Sequence, residues 1–203
     1  MNRHHSREEK KRPGFLKPGQ DLIVAGSIGL TGAAAAARAG EKALRERFSA
    51  SYAERLLSLD KDAENFAQNR LGEAFFREAG VTEAEPAEDG GIMNSLWKLL
   101  EAYGIGCTIE LRAIPILQET VEVCEVFDIN PYRLSSGGCL LMAADNGFSA
   151  LNALRKRGVE GAVIGKVEKG IARRILNGET ETFLDRPKPD EIEKILNQRE
   201  VKV

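Results

Sequence analysis

Three short glycine-rich stretches are the parts of this 203-residue chain whose composition and spacing best suit chemistry. They are Gly26-Ser27-Ile28-Gly29-Leu30-Thr31-Gly32, Asp89-Gly90-Gly91 and Ser135-Ser136-Gly137-Gly138. Glycine lacks the Cβ that keeps other backbones apart, so neighbouring N–H groups can converge on an anion, and a following helix adds its positive end. The residues expected to hold a phosphate or other anion are therefore Gly26, Ser27, Gly29, Gly32, Gly90, Gly91, Ser135, Ser136, Gly137 and Gly138. Neither a G-x-x-x-x-G-K-[ST] loop nor a G-x-G-x-x-G fingerprint occurs, which leaves ordinary P-loop or dinucleotide binding without support.

Other reactive side chains are sparse. Glu83, Glu85, Glu88 and Asp89 crowd one stretch and could share a magnesium ion or transfer a proton, although a solvated acidic loop is the expectation for them. Cys107, Cys124 and Cys139 are an odd set with no C-x-x-C pair, so they read as reduced thiols and not as a disulfide framework or a metal site. Both histidines, His4 and His5, lie in a polar amino-terminal tail, so a Ser-His-Asp triad, a Cys-His pair or a histidine-bearing zinc site has no member in the folded part. No catalytic residue and no metal ligand is assigned.

The elements that must position the glycine loops follow from pattern. Residues 1–18 are expected to be a disordered basic tail, since the first fourteen residues carry five basic against two acidic side chains and almost nothing to bury. A single domain is expected over 19–203. Asp21 to Ala25 is a buried strand bounded by glycines, and Ala33 to Phe48 is a helix of strong helix formers. Ser49 to Gly80 is helical in two or three pieces, Val81 to Ala84 is a short strand, and Ile92 to Tyr103 is a helix with a wide apolar stripe. Then come a strand at Cys107 to Leu111, a helix at Glu119 to Phe127, an apolar run at Cys139 to Ala144 and a helix at Phe148 to Arg157. A strand at Ala162 to Val167, a hairpin across Asn177-Gly178 and a short helix bearing Ile192, Ile195 and Leu196 complete the chain. Alternating strands and helices predict an α/β (α+β) domain, a layered mixed sheet with flanking helices.

The formal charge of −2 and the lack of an apolar run near the membrane-spanning length argue against a nucleic-acid or membrane partner, and the expected location is the cytoplasm. An arm binding RNA or an acidic partner through the tail is the weaker alternative.

From about Gly19 to Asp190 the ordered segments resemble the carboxy-terminal domain of the AIR synthase superfamily, closest to HypE-like and AIR synthase-related proteins. The resemblance is carried by Gly19-Gln20-Asp21-Leu22-Ile23-Val24 with Gly26-Ser27-Ile28-Gly29 and Gly32, and by Gly90-Gly91-Ile92 leading to Leu96-Trp97 and Glu101 to Gly106. Ile114-Pro115-Ile116, Gln118 to Cys124, Asn130-Pro131-Tyr132, Ser135-Ser136-Gly137 and Ala162 to Val167 continue it. It implies a three-layer α/β domain with a partly ferredoxin-like sheet. In complete members this domain joins an amino-terminal one that dimerises and supplies much of an ATP and magnesium site. Those enzymes phosphorylate an amide or carbonyl oxygen, and HypE proteins in this way convert a thiocarbamoyl group on their own terminal cysteine to a thiocyanate.

The chain departs from that pattern in three ways. The stretch before Gly19 is too short for the nucleotide-binding half. Aligned on Gly90-Gly91, the family motif D-x-T-x-G-G has Pro86 at its aspartate and Glu88 at its threonine. The end, Glu200-Val201-Lys202-Val203, has no cysteine. The expectation is a stand-alone, catalytically degenerate relative with a residual anion or nucleotide cleft, working as a homodimer or with a separate amino-terminal-domain-like protein. ATP and magnesium are expected only if such a partner is present. The alternative is a subunit of an ATP-dependent enzyme whose other half is a separate chain.

Overall fold

The structure, a computed structural model, describes residues 14–66 and 71–200. The strands are β1 (Asp21–Ala25), β2 (Val81–Pro86), β3 (Gly106–Glu110), β4 (Leu140–Ala144), β5 (Gly161–Glu168), β6 (Arg173–Asn177) and β7 (Thr180–Phe183). The helices are α1 (Leu30–Ala39), α2 (Glu41–Arg47), α3 (Ala50–Leu57), α4 (Asp60–Phe66), α5 (Glu73–Ala79), α6 (Gly91–Tyr103), α7 (Gln118–Phe127), α8 (Gly147–Lys156) and α9 (Glu193–Glu200).

The strands form one mixed sheet in the order β2-β4-β1-β5-β3-β6-β7, with every neighbouring pair antiparallel except β3 and β6. Period-2 alternation sends Leu22, Val24, Leu141 and Ala143 to one face and Ile23, Ala25, Met142 and Ala144 to the other. The first face is covered by α6 through Ile92, Leu96, Leu99 and Leu100. The second is covered by Phe75 and Ala79 of α5 and Ala150, Ala153 and Leu154 of α8. The predicted layered α/β domain is therefore the one observed.

Not all helices lie on the sheet. A separate helical cluster gathers around α1, where Ala33, Ala34, Ala36 and Ala37 are fully buried beside Leu44, Leu56, Val123 and Cys124. Short side chains let α1 sit close to several helices at once. This cluster also corrects the predicted helix from Ala33 to Phe48, which starts earlier, at Leu30, and breaks at Gly40 into α1 and α2. A Cβ at Gly40 would lie 2.2 Å from the Phe127 ring, so α7 crosses where the helix breaks.

Two further boundaries move. Order begins before Gly19, because Leu16 is buried, Phe15 donates its N–H to the Thr82 carbonyl and the Gly14 carbonyl lies 3.0 Å from the Tyr103 hydroxyl oxygen. The expectations for the first thirteen residues, His4 and His5 included, lie outside the described residues. The acidic stretch is not one solvated loop, because β2 runs to Pro86 and takes Glu83 and Glu85 into the sheet. Glu83 is buried and its carboxylate accepts the Tyr103 hydroxyl. Glu88 and Asp89 remain exposed.

The open end of α6 is fastened by Arg173 at the start of β6. Its guanidinium lies 4.3 Å from the Trp97 ring centroid, and Nη2 is 2.6 Å from Glu101 Oε2. With Arg173 buried, the ring and the carboxylate together replace the water it loses. Arg173→Met is expected to destabilise the fold by about 1–3 kcal/mol in urea unfolding. The emission of Trp97, the only tryptophan, is expected to shift with it.

Candidate functional site

The site is built where two separate segments approach Leu134 more closely than side chains would allow. A Cβ on Gly32 would lie 2.4 Å from Leu134 Cγ, and one on Gly91 would lie 2.7 Å from the Leu134 carbonyl oxygen. Gly29 (φ 75°), Gly90 (φ 72°) and Gly91 (φ 63°) are all left-handed, a region that β-carbon sterics deny to most residues. The start of α1, the start of α6 and the segment from the Pro131–Arg133 turn to β4 thus meet as backbones.

Hydrogen bonds lock the meeting. The Gly29 N–H donates to Ser136 Oγ at 2.7 Å, and that hydroxyl donates to the Leu134 carbonyl at 2.8 Å. Gly32 N–H donates to the Ser135 carbonyl at 2.9 Å, and Gly137 N–H donates to Thr31 Oγ1 at 2.8 Å, whose own proton goes to the Ser135 carbonyl. Ser136 N–H bonds the Ala87 carbonyl, and Gly91 N–H bonds the Glu88 carbonyl.

The predicted site residues therefore divide. Gly26 faces away, its N–H bonded to the Glu160 carbonyl before β5. Ser27 does not line the groove described next. Gly29, Gly91, Ser136 and Gly137 form the packed floor beneath it. Gly138 serves a different contact, since a Cβ there would lie 2.6 Å from the Ala63 carbonyl, and it borders a small apolar cavity of about 70 Å³ with Leu71, Phe76 and Cys139. The loop from Ser135 to Gly138 is followed by strand β4 and not by a helix, contrary to the expectation for all three loops.

Gly32, Gly90 and Ser135 do converge. With Thr31, Asp89 and Asn94 they line one wall of a groove of about 520 Å³. The opposite wall is the chain's own segment Lys188, Pro189, Asp190, Ile192, Glu193 and Leu196. Gly90 N–H, at the start of α6, donates to Asp190 Oδ2 at 3.0 Å. Among the loop amides just described it is the one whose acceptor is a carboxylate. Asn94 reads the backbone of Lys188 twice, donating from Nδ2 to its carbonyl at 2.9 Å and accepting its N–H at Oδ1 at 3.2 Å. Asp89, Asp190 and Glu193 against Lys188 leave the closed groove acidic.

Sequence reasoning missed Asn94, Thr31 and the Lys188 to Leu196 segment as groove residues. The signal for Asn94 was available, because a carboxamide inside the stripe from Ile92 to Leu96 is a polar group that burial would penalise unless it had partners.

Among the described residues no group of histidine, cysteine or acidic side chains is arranged to hold a metal ion. Burial pushes the Cys107, Cys124 and Cys139 thiols up to about 12 from an ordinary 9.0, so none is activated as a nucleophile. The unfolded chain loses thiol protons near pH 9 while the folded chain keeps them, so stability should fall as pH rises from 9 towards 12. Ellman titration at pH 8 is expected to detect no fast-reacting thiol in the folded chain and three after denaturation.

Ser136 is fully buried and bridges Gly29 to Leu134. Ser136→Ala would leave a donor and an acceptor without partners, and a loss of about 1–3 kcal/mol in urea unfolding is expected.

Carbamoyl dehydratase HypE of Rhodobacter capsulatus is 26% identical over 157 residues, covering 75% of this chain and 43% of that protein. The chain thus spans less than half the length of that curated relative. The crystal structure of E. coli HypE, a hydrogenase maturation protein, superposes with a TM-score of 0.64 at 22% identity, covering 90% of this chain and 54% of that one. A HypE solved in complex with ATP superposes with a TM-score of 0.59 at 16% identity, covering 88% and 53%. These structures share the fold. The profile of the AIR synthase related protein, C-terminal domain, matches residues 17–175, and the chain belongs to that family.

Proposed function

We propose that this domain works by binding and assembly and not by supplying catalytic side chains, and that the groove between the glycine loops holds an anion, the phosphate end of a nucleotide being the best candidate. The observation that carries the reading is the convergence of Gly32, Gly90 and Ser135 from three distant segments on one groove. Gly90 N–H stands there at the positive end of the thirteen-residue helix α6, already paired with a negative oxygen. A HypE relative of the same fold was solved in complex with ATP, which favours a nucleotide.

The catalytic part of the reading rests on Pro86. It takes the place of the aspartate in the family motif at the end of β2, where its carbonyl accepts the Ser95 hydroxyl and its ring can neither bind a cation nor donate a proton. The acidic lining of the groove also disfavours a bare polyphosphate. Magnesium, or a basic surface on a second polypeptide, would have to offset it. A homodimer or an amino-terminal-domain-like partner in the cytoplasm fits that requirement, and so does a subunit role in an ATP-dependent enzyme.

Thermal-shift titration with phosphate, ADP and ATP, each with and without magnesium, tests the anion site. A ligand at 100 times its dissociation constant should stabilise by about 2.7 kcal/mol. A flat response to every ligand, in the native chain and in Asp190→Ala, would remove the anion-holding role.

A further inference from the structure

The far wall of the groove differs from the near wall in how it is held. From Asp185 to Asn197 no residue is buried, and Ile192 and Ile195 are only partly covered, against the helical cluster. The segment hangs from the buried Leu184 at the end of the β6–β7 hairpin. Pro187 and Pro189 bias it towards extended backbone. What seats it is polar. Asn94 grips both backbone groups of Lys188, Gly90 N–H grips the Asp190 carboxylate, and Glu191 takes the Asn130 N–H at 3.1 Å while donating its own N–H to the Arg133 carbonyl. Asp190 Oδ1 also accepts the Ile192 N–H at 3.0 Å, which aims its other oxygen at Gly90.

We infer that residues 188–192 are an intramolecular ligand: Asp190 occupies the anion position at the start of α6, and the segment is a strap that must lift before an external phosphate can enter. The inference rests on the anion-holding reading of the groove and adds a regulatory element to it. Its physical basis is competition for one donor. The Gly90 N–H cannot serve the Asp190 carboxylate and a phosphate oxygen at full strength together, and the carboxylate repels the phosphate charge. Because the strap buries no core residue, lifting it breaks hydrogen bonds without opening the hydrophobic core. The apparent affinity for phosphate is then the intrinsic affinity scaled by the fraction of molecules with the strap lifted.

The test uses the full chain in three forms: native, Asp190→Ala and Asp190→Asn. Asparagine keeps the shape and can still accept a hydrogen bond, so it guards against a folding defect in the alanine variant. Inorganic phosphate is titrated while the Gly90 amide is followed by NMR, and hydrogen exchange of that amide is measured without ligand. In the native chain the Gly90 amide should be protected. Asp190→Ala should remove that protection and tighten phosphate binding by about tenfold or more, with Asp190→Asn between the two.

Equal phosphate affinity in all three forms would overturn the strap while leaving the anion groove standing. An unprotected Gly90 amide in the native chain would overturn it too, whatever phosphate does. Absence of phosphate binding in every form would remove the groove reading and the strap together.

Discussion

Backbone meets backbone at Leu134, and the arrangement of the domain depends on that contact. Two α-helix starts close on Leu134 from either side, which is possible only because Gly32 and Gly91 have no Cβ to keep them apart. Close approach of peptide groups away from water obliges each N–H and C=O to find a partner. Ser136 and Thr31 answer that demand, each accepting one amide and donating to one carbonyl. The contact links the helical cluster around α1 to the sheet and its covering helix α6.

The same constraint limits what the glycine loops can do for a ligand. A hydrogen that satisfies a neighbouring carbonyl is not available to a phosphate oxygen. Most of the loop amides are consumed in building the floor, and Gly90 is left facing a carboxylate at the rim. Glycine-rich turns can thus be retained for packing alone, and the groove has to be argued from the few groups that face it. Carboxylates outnumber the single lysine along its lining, so its chemistry as closed is that of a self-occupied site and not of an open anion pocket.

Much of the architecture was legible because it rests on local pattern. The Asp21–Ala25 strand, the amphipathic stripe of α6, the hairpin across Asn177-Gly178 and the strand Gly161–Glu168 all follow from period-2 or period-3.6 burial and from turn chemistry. Boundaries failed where a distant residue decided them. Gly40, where α1 gives way to α2, lies against the Phe127 ring, and the buried Glu83 is partnered by the Tyr103 hydroxyl. Neither partner is near in sequence, so no local propensity reports them.

The amino-acid sequence by itself determined the fold class, the family resemblance, the shortage of reactive side chains and the three glycine stretches, since each of these depends on residue type and nearest-neighbour pattern. Only the tertiary structure decided that Gly26 and Gly138 turn away, that Gly29, Gly91, Ser136 and Gly137 are spent on the floor, and that Gly32, Gly90 and Ser135 face one groove. It also decided that Asn94 and Asp190 belong to that groove. The physical reason is that a hydrogen-bonding group has its partner chosen by the folded chain, across separations of about a hundred residues for Gly90 and Asp190. A sequence states which donors and acceptors exist, and packing alone states which of them have already been answered.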